Sequence, residues 1–462
     1  MISCLDVSGR LTRRDRQRRQ VFEFQVPERA DRLRVDFRYQ PGEVAGVHNL
    51  LTLSIFDPRV FRGAAHRWNQ AQTVTIDARA ATPGFLPGRI TAGRWRIELD
   101  AHEIVNDGLS SGGCVYGLLV RARLDQSPDH RSVPRPQRLN RARVAHVNRG
   151  AGWYRGDLHS HSVHCDGVST IAEMARTAGA MGADFLATTG HNTISQWRLD
   201  EPWPDGLLLI RGVECTTYFG HANLLGTSDW IDWRVESREA GARSIVAQAR
   251  EQGALAVVNH PRARGNPGCT GCRWDYPVDD LPAFDAIEVW NSGWHEAGNG
   301  NGDALTLWTT ELMAGSRLTA VAGTDSHSAD EYEREDLPYT WVYAEGLSER
   351  EVLHGLRSGR AYLSSGPRLT FVARHGSGGR ATLPGDRLHP GRFHLRIETA
   401  HLTAPATLWL VADGAKQRIG DLIRPGGTLE TVANAEQWWN LELRARDPAE
   451  SLLTLTNPVY HR

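Results

Sequence analysis

Lysine is almost missing from this sequence, since Lys416 is the only lysine among 462 residues. Covalent catalysis through a lysine Schiff base in the central part of the chain is therefore excluded. Long apolar runs are missing too: no stretch approaches the roughly twenty residues that span a bilayer, and residues 1–20 are rich in arginine without the apolar core of a signal peptide. We therefore expect a cytoplasmic protein without a membrane partner.

An excess of charge of one sign is also missing. The chain has 53 lysines and arginines against 54 aspartates and glutamates, which gives a formal net charge of −1. A general nucleic-acid binder carries a basic excess. That class of function is disfavoured, although the sequence leaves room for a local basic groove.

Cysteines are few and scattered. There are six, and they include one C-x-x-C pair, Cys269 and Cys272. This spacing does not indicate a disulfide framework, and a single C-x-x-C without a second pair is a weak signal for a metal or redox site. We therefore expect reduced thiols, with the C-x-x-C pair in a loop near the mouth of a site.

The chain is long enough for two or three domains, each with its own core. Strand-like alternation over residues 1–124 predicts an N-terminal β-sandwich, and 125–152 has the proline, arginine and asparagine content of a linker. Short strands then alternate with helices over 153–366, which indicates an α/β architecture. Alternation returns over 367–462 and predicts a second, smaller β domain.

The central region contains nine side chains that can bind metal ions, and nearly all of them stand where a short apolar run ends in a polar turn. In a barrel of parallel strands the carboxyl ends converge on one mouth, so residues far apart in sequence meet there. The nine candidate ligands are His159, His161, Asp166, His191, Glu214, His221, His260, Asp325 and His327.

Imidazoles and carboxylates together suit zinc, manganese or iron. His159 and His161 are two residues apart, so an extended backbone points both side chains to the same side. Glu214 is the only glutamate of the nine, and its two oxygens could bridge two ions. Such a pair of ions would generate hydroxide at neutral pH. The pattern predicts a hydrolase in which a metal-bridging hydroxide attacks an ester-type centre.

These residues stand in short motifs that resemble the series of the polymerase and histidinol phosphatase (PHP) superfamily. The stretch Glu288-Val289-Trp290-Asn291, the flanking β domains and the Asn-Pro-Val-Tyr end resemble its carbaryl-hydrolase-like (CehA/McbA-type) branch. The superfamily motifs in this chain are Gly156-Asp157-Leu158-His159-Ser160-His161-Ser162, Cys165-Asp166-Gly167, Thr189-Gly190-His191-Asn192, Gly212-Val213-Glu214, Gly220-His221-Ala222-Asn223, Asn259-His260-Pro261 and Gly323-Thr324-Asp325-Ser326-His327.

The resemblance implies a distorted (β/α)7 TIM-like barrel that holds two or three divalent ions. One departure concerns Gly190, which stands where many relatives have aspartate, so the number of ions is left open. The resemblance allocates His159, His161, Glu214 and Asp325 to one ion, Glu214, His221 and His260 to a second, and Asp166, His191 and His327 to a third.

The predicted catalytic residues are Glu214, Asp325 and His327. The superfamily resemblance implies a phosphomonoester or phosphodiester substrate, whereas the branch resemblance implies a carbamate or other carboxylic ester. Two further alternatives are a non-catalytic metal-binding recognition module and a nucleic-acid-processing enzyme. Candidate residues for a small-molecule ester or phosphoester substrate are Arg262, Arg264, Asn291 and His295, of which the two arginines could clamp an anion. The oligomeric state is left open.

Overall fold

The computed structural model describes residues 1–105, 113–125, 150–197, 203–374, 382–389, 391–423 and 425–461. Most of the predicted linker, 125–152, lies outside these ranges. Within them, no helix has both the length and the apolar character that crossing a membrane requires.

The first part of the chain forms two four-stranded antiparallel sheets that share one hydrophobic core. The alternation seen in the sequence places every second side chain in this core, as in β3, where Leu33, Val35 and Phe37 are buried. The strands are β1 (Ile2–Leu11), β2 (Arg18–Val26), β3 (Ala30–Gln40), β4 (Glu43–Val44), β5 (Val47–His48), β6 (Leu50–Phe56), β7 (Phe61–Ala65), β8 (Ala71–Asp77), β9 (Gly93–Glu103) and β10 (Cys114–Leu124).

The central part combines short strands with four α-helices. Its strands are β11 (Gly152–Asp157), β12 (Phe185–Thr188), β13 (Leu208–Thr216), β14 (His221–Leu225), β15 (Leu255–Val258), β16 (Ala286–Asn291), β17 (Thr319–Gly323), β18 (Tyr339–Ala344) and β19 (Ala361–Ser364). The helices are α1 (Ile171–Ala180), α2 (Arg243–Glu251), α3 (Asn301–Met313) and α4 (Glu349–Arg357).

Two of these helices begin at caps that the sequence predicts. Thr170 and Glu173 form a complete capping box at the start of α1, and the Ser348 hydroxyl accepts a hydrogen bond from the Glu351 amide at the start of α4. The caps fix the first turn of α1 directly after the loop that contains Asp166. The metal-ligand loop and the helix therefore have a defined junction.

The central sheet is mixed. Strands β11, β12 and β13 run parallel, β14 pairs antiparallel with both β13 and β15, and β15, β16 and β17 are again parallel. The two ends of this series meet beyond β11 and β17, where the Asp325 amide donates to the His159 carbonyl and the His161 amide to the Ser326 carbonyl. The described residues thus form a strand-rich curved sheet with few helices, and the predicted (β/α)7 barrel is not confirmed.

The C-terminal strands continue the central sheet, because β19 pairs with β27. Strands β20, β22 and β25 form a separate three-stranded sheet that shares a core with this extension. The strands are β20 (Arg368–Arg374), β21 (Arg387–Leu388), β22 (Gly391–Ala400), β23 (Ala406–Ala412), β24 (Ala415–Leu422), β25 (Gly427–Ala435), β26 (Trp438–Ala445), β27 (Leu452–Thr456) and β28 (Val459–His461).

The expectation of reduced thiols is wrong for one pair, since a disulfide joins Cys269 and Cys272. The turn places their Cα atoms 5.6 Å apart, which lies within the range that a disulfide spans. Their loop follows His260. The other four cysteines, at positions 4, 114, 165 and 215, are free.

Candidate metal centre

The structure brings the nine predicted ligands together at one end of the central sheet. The aspartates and five of the histidines follow strand ends or lie in the adjoining loops, and His221 is the first residue of β14, as the sequence predicts, but Glu214 is placed differently. It lies inside β13, which extends to Thr216 and pairs with β14 through Glu214 and Asn223. Because β14 returns antiparallel, His221 at its start lies beside the glutamate.

The fully buried carboxylate of Glu214 lies at the middle of the cluster. Five histidines approach its two oxygens. Oε1 lies 3.3 Å from His159 Nε2, His221 Nδ1 and His260 Nε2, and Oε2 lies 3.4 Å from His161 Nε2 and 2.8 Å from His191 Nδ1.

Two aspartates flank this glutamate on different sides. Asp325 Oδ1 lies 3.0 Å from His161 Nε2 and 3.3 Å from His159 Nε2. Asp166 lies 3.5 Å from the Nε2 atoms of both His191 and His327. The nine residues therefore form one continuous cluster around Glu214.

Four overlapping groups in the described part of the chain have a geometry that can hold a metal ion. They only partly follow the allocation that the resemblance implies, because Glu288, which is not among the nine, joins one of them. The groups are His161, Asp166, His191 and His327; His159, His161 and Asp325; His159, His260 and Glu288; and His191, Glu214 and His221.

Each histidine of the cluster has one ring nitrogen engaged by a neighbouring group, as is common for metal ligands. This interaction fixes the ring plane and leaves the other nitrogen for the centre, except that Nδ1 of His191 faces both its neighbouring group and Glu214. The pairs are His159 Nδ1 with Glu288 Oε1, His161 Nδ1 with Cys165 Sγ, His191 Nδ1 with Thr216 Oγ1, His221 Nε2 with the Thr270 carbonyl, His260 Nδ1 with the Cys272 carbonyl, and His327 Nδ1 with the Asp325 carbonyl.

Several atoms that face the centre have no hydrogen-bond partner among the described residues. They are His159 Nε2, His161 Nε2, His221 Nδ1, Asp166 Oδ1 and Glu214 Oε2. A buried polar atom without a partner costs about 1–3 kcal/mol, so a cluster of five is costly unless something binds between them. Imidazole nitrogens and carboxylate oxygens at this spacing fit divalent cations.

The electrostatics divide the cluster into charged and neutral groups. Burial alone would raise the pKa of Glu214, but the surrounding imidazoles hold that pKa well below its ordinary value. Burial lowers the pKa of His161 to about 4, assisted by His191 and His327. Burial opposes the charged form of His159, yet the carboxylates of Asp325, Glu214 and Glu288 raise the pKa of that ring. The neighbouring carboxylates therefore favour the charged form of His159, whereas burial favours the neutral form of His161.

Backbone strain also collects here. Four non-glycine residues here have positive φ angles: 51° for Asn192, 26° for His260, 54° for Ser292 and 55° for Asp325. Non-glycine residues seldom adopt this left-handed region, and such strain is often found at functional sites. Two of the four are predicted metal ligands, and Asn192 directly follows a third.

The predicted substrate residues lie in three different environments. The Arg262 side chain is half-buried and that of Arg264 is exposed, and neither makes an ion pair within the described ranges. Asn291 is buried in the cluster, and its Nδ2 contacts Glu288 Oε2 at 3.1 Å and Asp325 Oδ2 at 3.4 Å. His295 lies apart from the nine residues and pairs through Nε2 with Ser451 Oγ.

Three supporting residues are absent from the set that the sequence predicts. Glu288 accepts from the His260 amide at 2.8 Å as well as facing His159, Asn259 donates to Glu214 Oε1 at 2.8 Å, and Asp157 accepts from the His159 and Thr324 amides. The available signal is a carboxylate within an otherwise apolar strand, as in Ala286–Asn291. A buried charge is costly without a partner.

No family model and no curated protein matches the chain. Among solved structures, it is similar to a two-domain protein from Bacteroides vulgatus that contains a predicted PHP-like metal-dependent phosphoesterase, with 18% identity, a TM-score of 0.38, and coverage of 68% of this chain and 96% of that one. It is also similar to a candidate metal-dependent phosphoesterase from Bifidobacterium adolescentis, with 15% identity, a TM-score of 0.29, and coverage of 43% and 95%.

Proposed function

We propose that this protein is a metal-dependent hydrolase of the PHP superfamily that cleaves phosphomonoesters or phosphodiesters. The observation that carries the proposal is the buried Glu214 carboxylate with five histidine nitrogens within 3.4 Å of its oxygens. A buried cluster of this kind has no evident structural purpose, whereas it suits a centre of two or three ions.

The chain's own groups suit zinc, manganese or iron, because they mix imidazole nitrogens with carboxylate oxygens. When bound, such ions would supply a water nucleophile of lowered pKa and would stabilise the charge that develops on the phosphoryl oxygens. Glu214, whose carboxylate lies at the middle of the cluster, would be the central residue that holds them. Asn259 and the five histidines keep its carboxylate in place.

Exposure indicates where the substrate enters. The Glu214 side chain is fully buried, whereas 25% of Asp325 and 38% of His327 is accessible. These two residues therefore stand on the open side, where they can contact a bound ester. We propose that one of these two residues acts as the general acid that donates a proton to the leaving group.

Arg262 favours an anionic substrate over a neutral carbamate. It comes two residues after the ligand His260, and its half-buried guanidinium makes no ion pair within the described ranges. A partly desolvated arginine without a carboxylate partner is a suitable site for a phosphate group. Arg264, close by in the chain, is more exposed and would act at longer range.

The curved sheet supports the superfamily part of the proposal. Backbone hydrogen bonds join the segments after β11 and β17, the two ends of the parallel and antiparallel series. We propose that this arrangement is the distorted barrel of the superfamily. Strand β14, which runs against its neighbours, would be the source of the distortion.

A two-substrate assay tests the function. The protein is stripped with a chelator, reconstituted with manganese, zinc or iron, and given a nitrophenyl phosphodiester or a naphthyl methylcarbamate. We expect metal-dependent release of nitrophenol and little release of naphthol. Preference for the carbamate would replace the phosphoesterase by a carboxylic ester hydrolase, and bound metal without turnover of either substrate would favour a recognition module.

A further inference from the structure

Two consecutive residues of the N-terminal sandwich, together with Gly84, contact the loops of the metal centre. His66 and Arg67 directly follow β7, one of the strands of the second sheet, and both side chains point away from the sandwich core toward the central region. The sequence gives no indication of this contact, because more than ninety residues separate Arg67 from Val163, its first partner in the central region.

Arg67 holds the loop that contains Asp166. Its Nε donates to the Cys165 carbonyl at 2.9 Å and its Nη2 to the Val163 carbonyl at 3.0 Å. The same Nη2 also donates to the Pro83 carbonyl of the sandwich at 2.6 Å. One guanidinium thus joins the sandwich to the residues immediately before Asp166.

His66 and Gly84 hold the second loop, which contains His191. The ring of His66 lies 4.4 Å from that of His191, centroid to centroid, and its buried Nδ1 has no hydrogen-bond partner among the described residues. The Gly84 carbonyl accepts from Thr193 Oγ1 at 2.7 Å, and its amide pairs with Ser195 Oγ at 3.0 Å. A Cβ at Gly84 would come within 2.8 Å of the His164 carbonyl, so the close approach requires glycine.

The two loops that the sandwich contacts contain Asp166 and His191. Both residues belong, with His327, to the same candidate metal group. We propose that the N-terminal sandwich is a structural part of this group and that Arg67 is its positioning residue. The inference rests on the proposed metal binding. The energetic reason is that a mobile Asp166 loop would have to be ordered each time an ion binds, whereas Arg67 keeps it ordered beforehand.

The experiment measures metal content and affinity, independently of any turnover. Wild type, Arg67→Met, Asp166→Asn and the double variant are stripped, loaded with manganese and compared by elemental analysis and by manganese titration. Arg32→Met is the control, because Arg32 belongs to the same sandwich but pairs with Asp77 inside its own sheet. Far-UV circular dichroism and thermal unfolding report on the fold. Arg67→Lys tests whether a single ammonium group in place of the guanidinium is enough to restore manganese binding.

We expect Arg67→Met to lower the manganese affinity of the group that contains Asp166 by about 10–100-fold. This is the usual effect of losing a residue that supports a metal ligand. At limiting manganese, Arg67→Met should lose the same ion as Asp166→Asn, and the double variant should lose no more. Arg32→Met should bind manganese with the affinity of wild type. The affinity of Arg67→Lys should lie between those of wild type and Arg67→Met.

Wild-type metal content and affinity in a folded Arg67→Met protein would overturn the positioning role while leaving the proposed function intact. A loss that adds in full to that of Asp166→Asn would do the same, since the two changes would then act on different ions. A wild type that binds no manganese, zinc or iron would overturn both the inference and the proposed function.

Discussion

The carboxylate of Glu288 lies 3.1 Å from Nδ1 of His159, while Nε2 of the same ring faces Glu214. Glu288 also accepts from the His260 amide and from Asn291 Nδ2. Its two oxygens therefore orient three residues of the cluster at once. Gly323 makes room for this arrangement, because a Cβ there would lie 2.3 Å from Glu288 Oε1.

Glu288→Gln should lower metal affinity or activity about 10–100-fold, the usual cost of losing an orienting partner. The amide keeps the shape of the side chain but removes the charge, and it cannot accept with both terminal atoms. The measurement is metal titration of the stripped variant. Glu311→Gln, a buried glutamate of α3, is the matched control. Equal losses in the two variants would mean that Glu288 acts only through general stability.

The sequence predicts which residues meet in the cluster better than it predicts their surroundings. Seven of the nine follow strand ends or lie in loops, where a change from apolar to polar residues is visible, and His221 is the first residue of β14. Glu214 is an exception because β14 pairs with β13 and extends it beyond the apolar run. Glu288 acts from inside a buried strand, where its role depends on neighbours brought close only by folding.

Metal binding should release protons, because His327 is protonated in the metal-free protein. Burial opposes the charge, but Asp166 outweighs it and raises the pKa of His327 to about 9, above the ordinary value of about 6.5. A histidine must give up this proton before its ring nitrogen can bind a metal ion. Calorimetric loading at pH 7.5 in buffers of different ionisation enthalpy should show that His327→Asn releases about one proton fewer than wild type. Equal proton release by the variant would contradict this assignment.

The same pKa fixes the sign of a pH effect on the metal-free protein. A raised pKa means that protonated His327 contributes stability that is fully present below about pH 6.5. That stability is lost as the pH rises through about 9. The thermal midpoint of metal-free wild type should therefore fall between pH 7 and pH 9.5 by more than that of His327→Asn. Parallel curves would refute the prediction.

Asn457→Ala should destabilise the protein by about 3 kcal/mol, because it leaves buried backbone groups without partners. Asn457 donates to the Ala320 and Ala361 carbonyls and accepts from the Ala320 amide, which ties β17 to β19. Urea denaturation gives the free energy of unfolding. Asn440→Ala, which removes a single longer bond to Thr456, should cost less. Equal costs would show that the β17–β19 tie is unimportant.

Arg262→Ala should raise the Michaelis constant for a phosphodiester with little change in metal content, because the guanidinium is assigned to the substrate anion and not to the ions. Steady-state kinetics with the loaded enzyme measure this. Arg273→Ala is a nearby control, since Arg273 is the bridge partner of Arg262 across the same loop. Unchanged kinetics of Arg262→Ala would remove it from the site.

Other parts of the fold could not be read from local sequence. Helix α3 follows Gly300, which has a left-handed conformation and supplies no side-chain cap, so the start of the helix lacks the usual capping signal. The contact of His66 with His191 joins two regions that share no periodic pattern. The Cys269–Cys272 disulfide joins a C-x-x-C pair, and this spacing alone, without a second pair, is weak evidence for a disulfide.

The most direct test is hydrolysis of bis(p-nitrophenyl) phosphate by stripped and manganese-loaded wild type, alongside Glu214→Gln. We expect that stripping abolishes turnover, that manganese restores it, and that the folded variant stays inactive and holds less metal. Turnover that survives chelation, or a Glu214→Gln protein that is active and fully loaded, would contradict it.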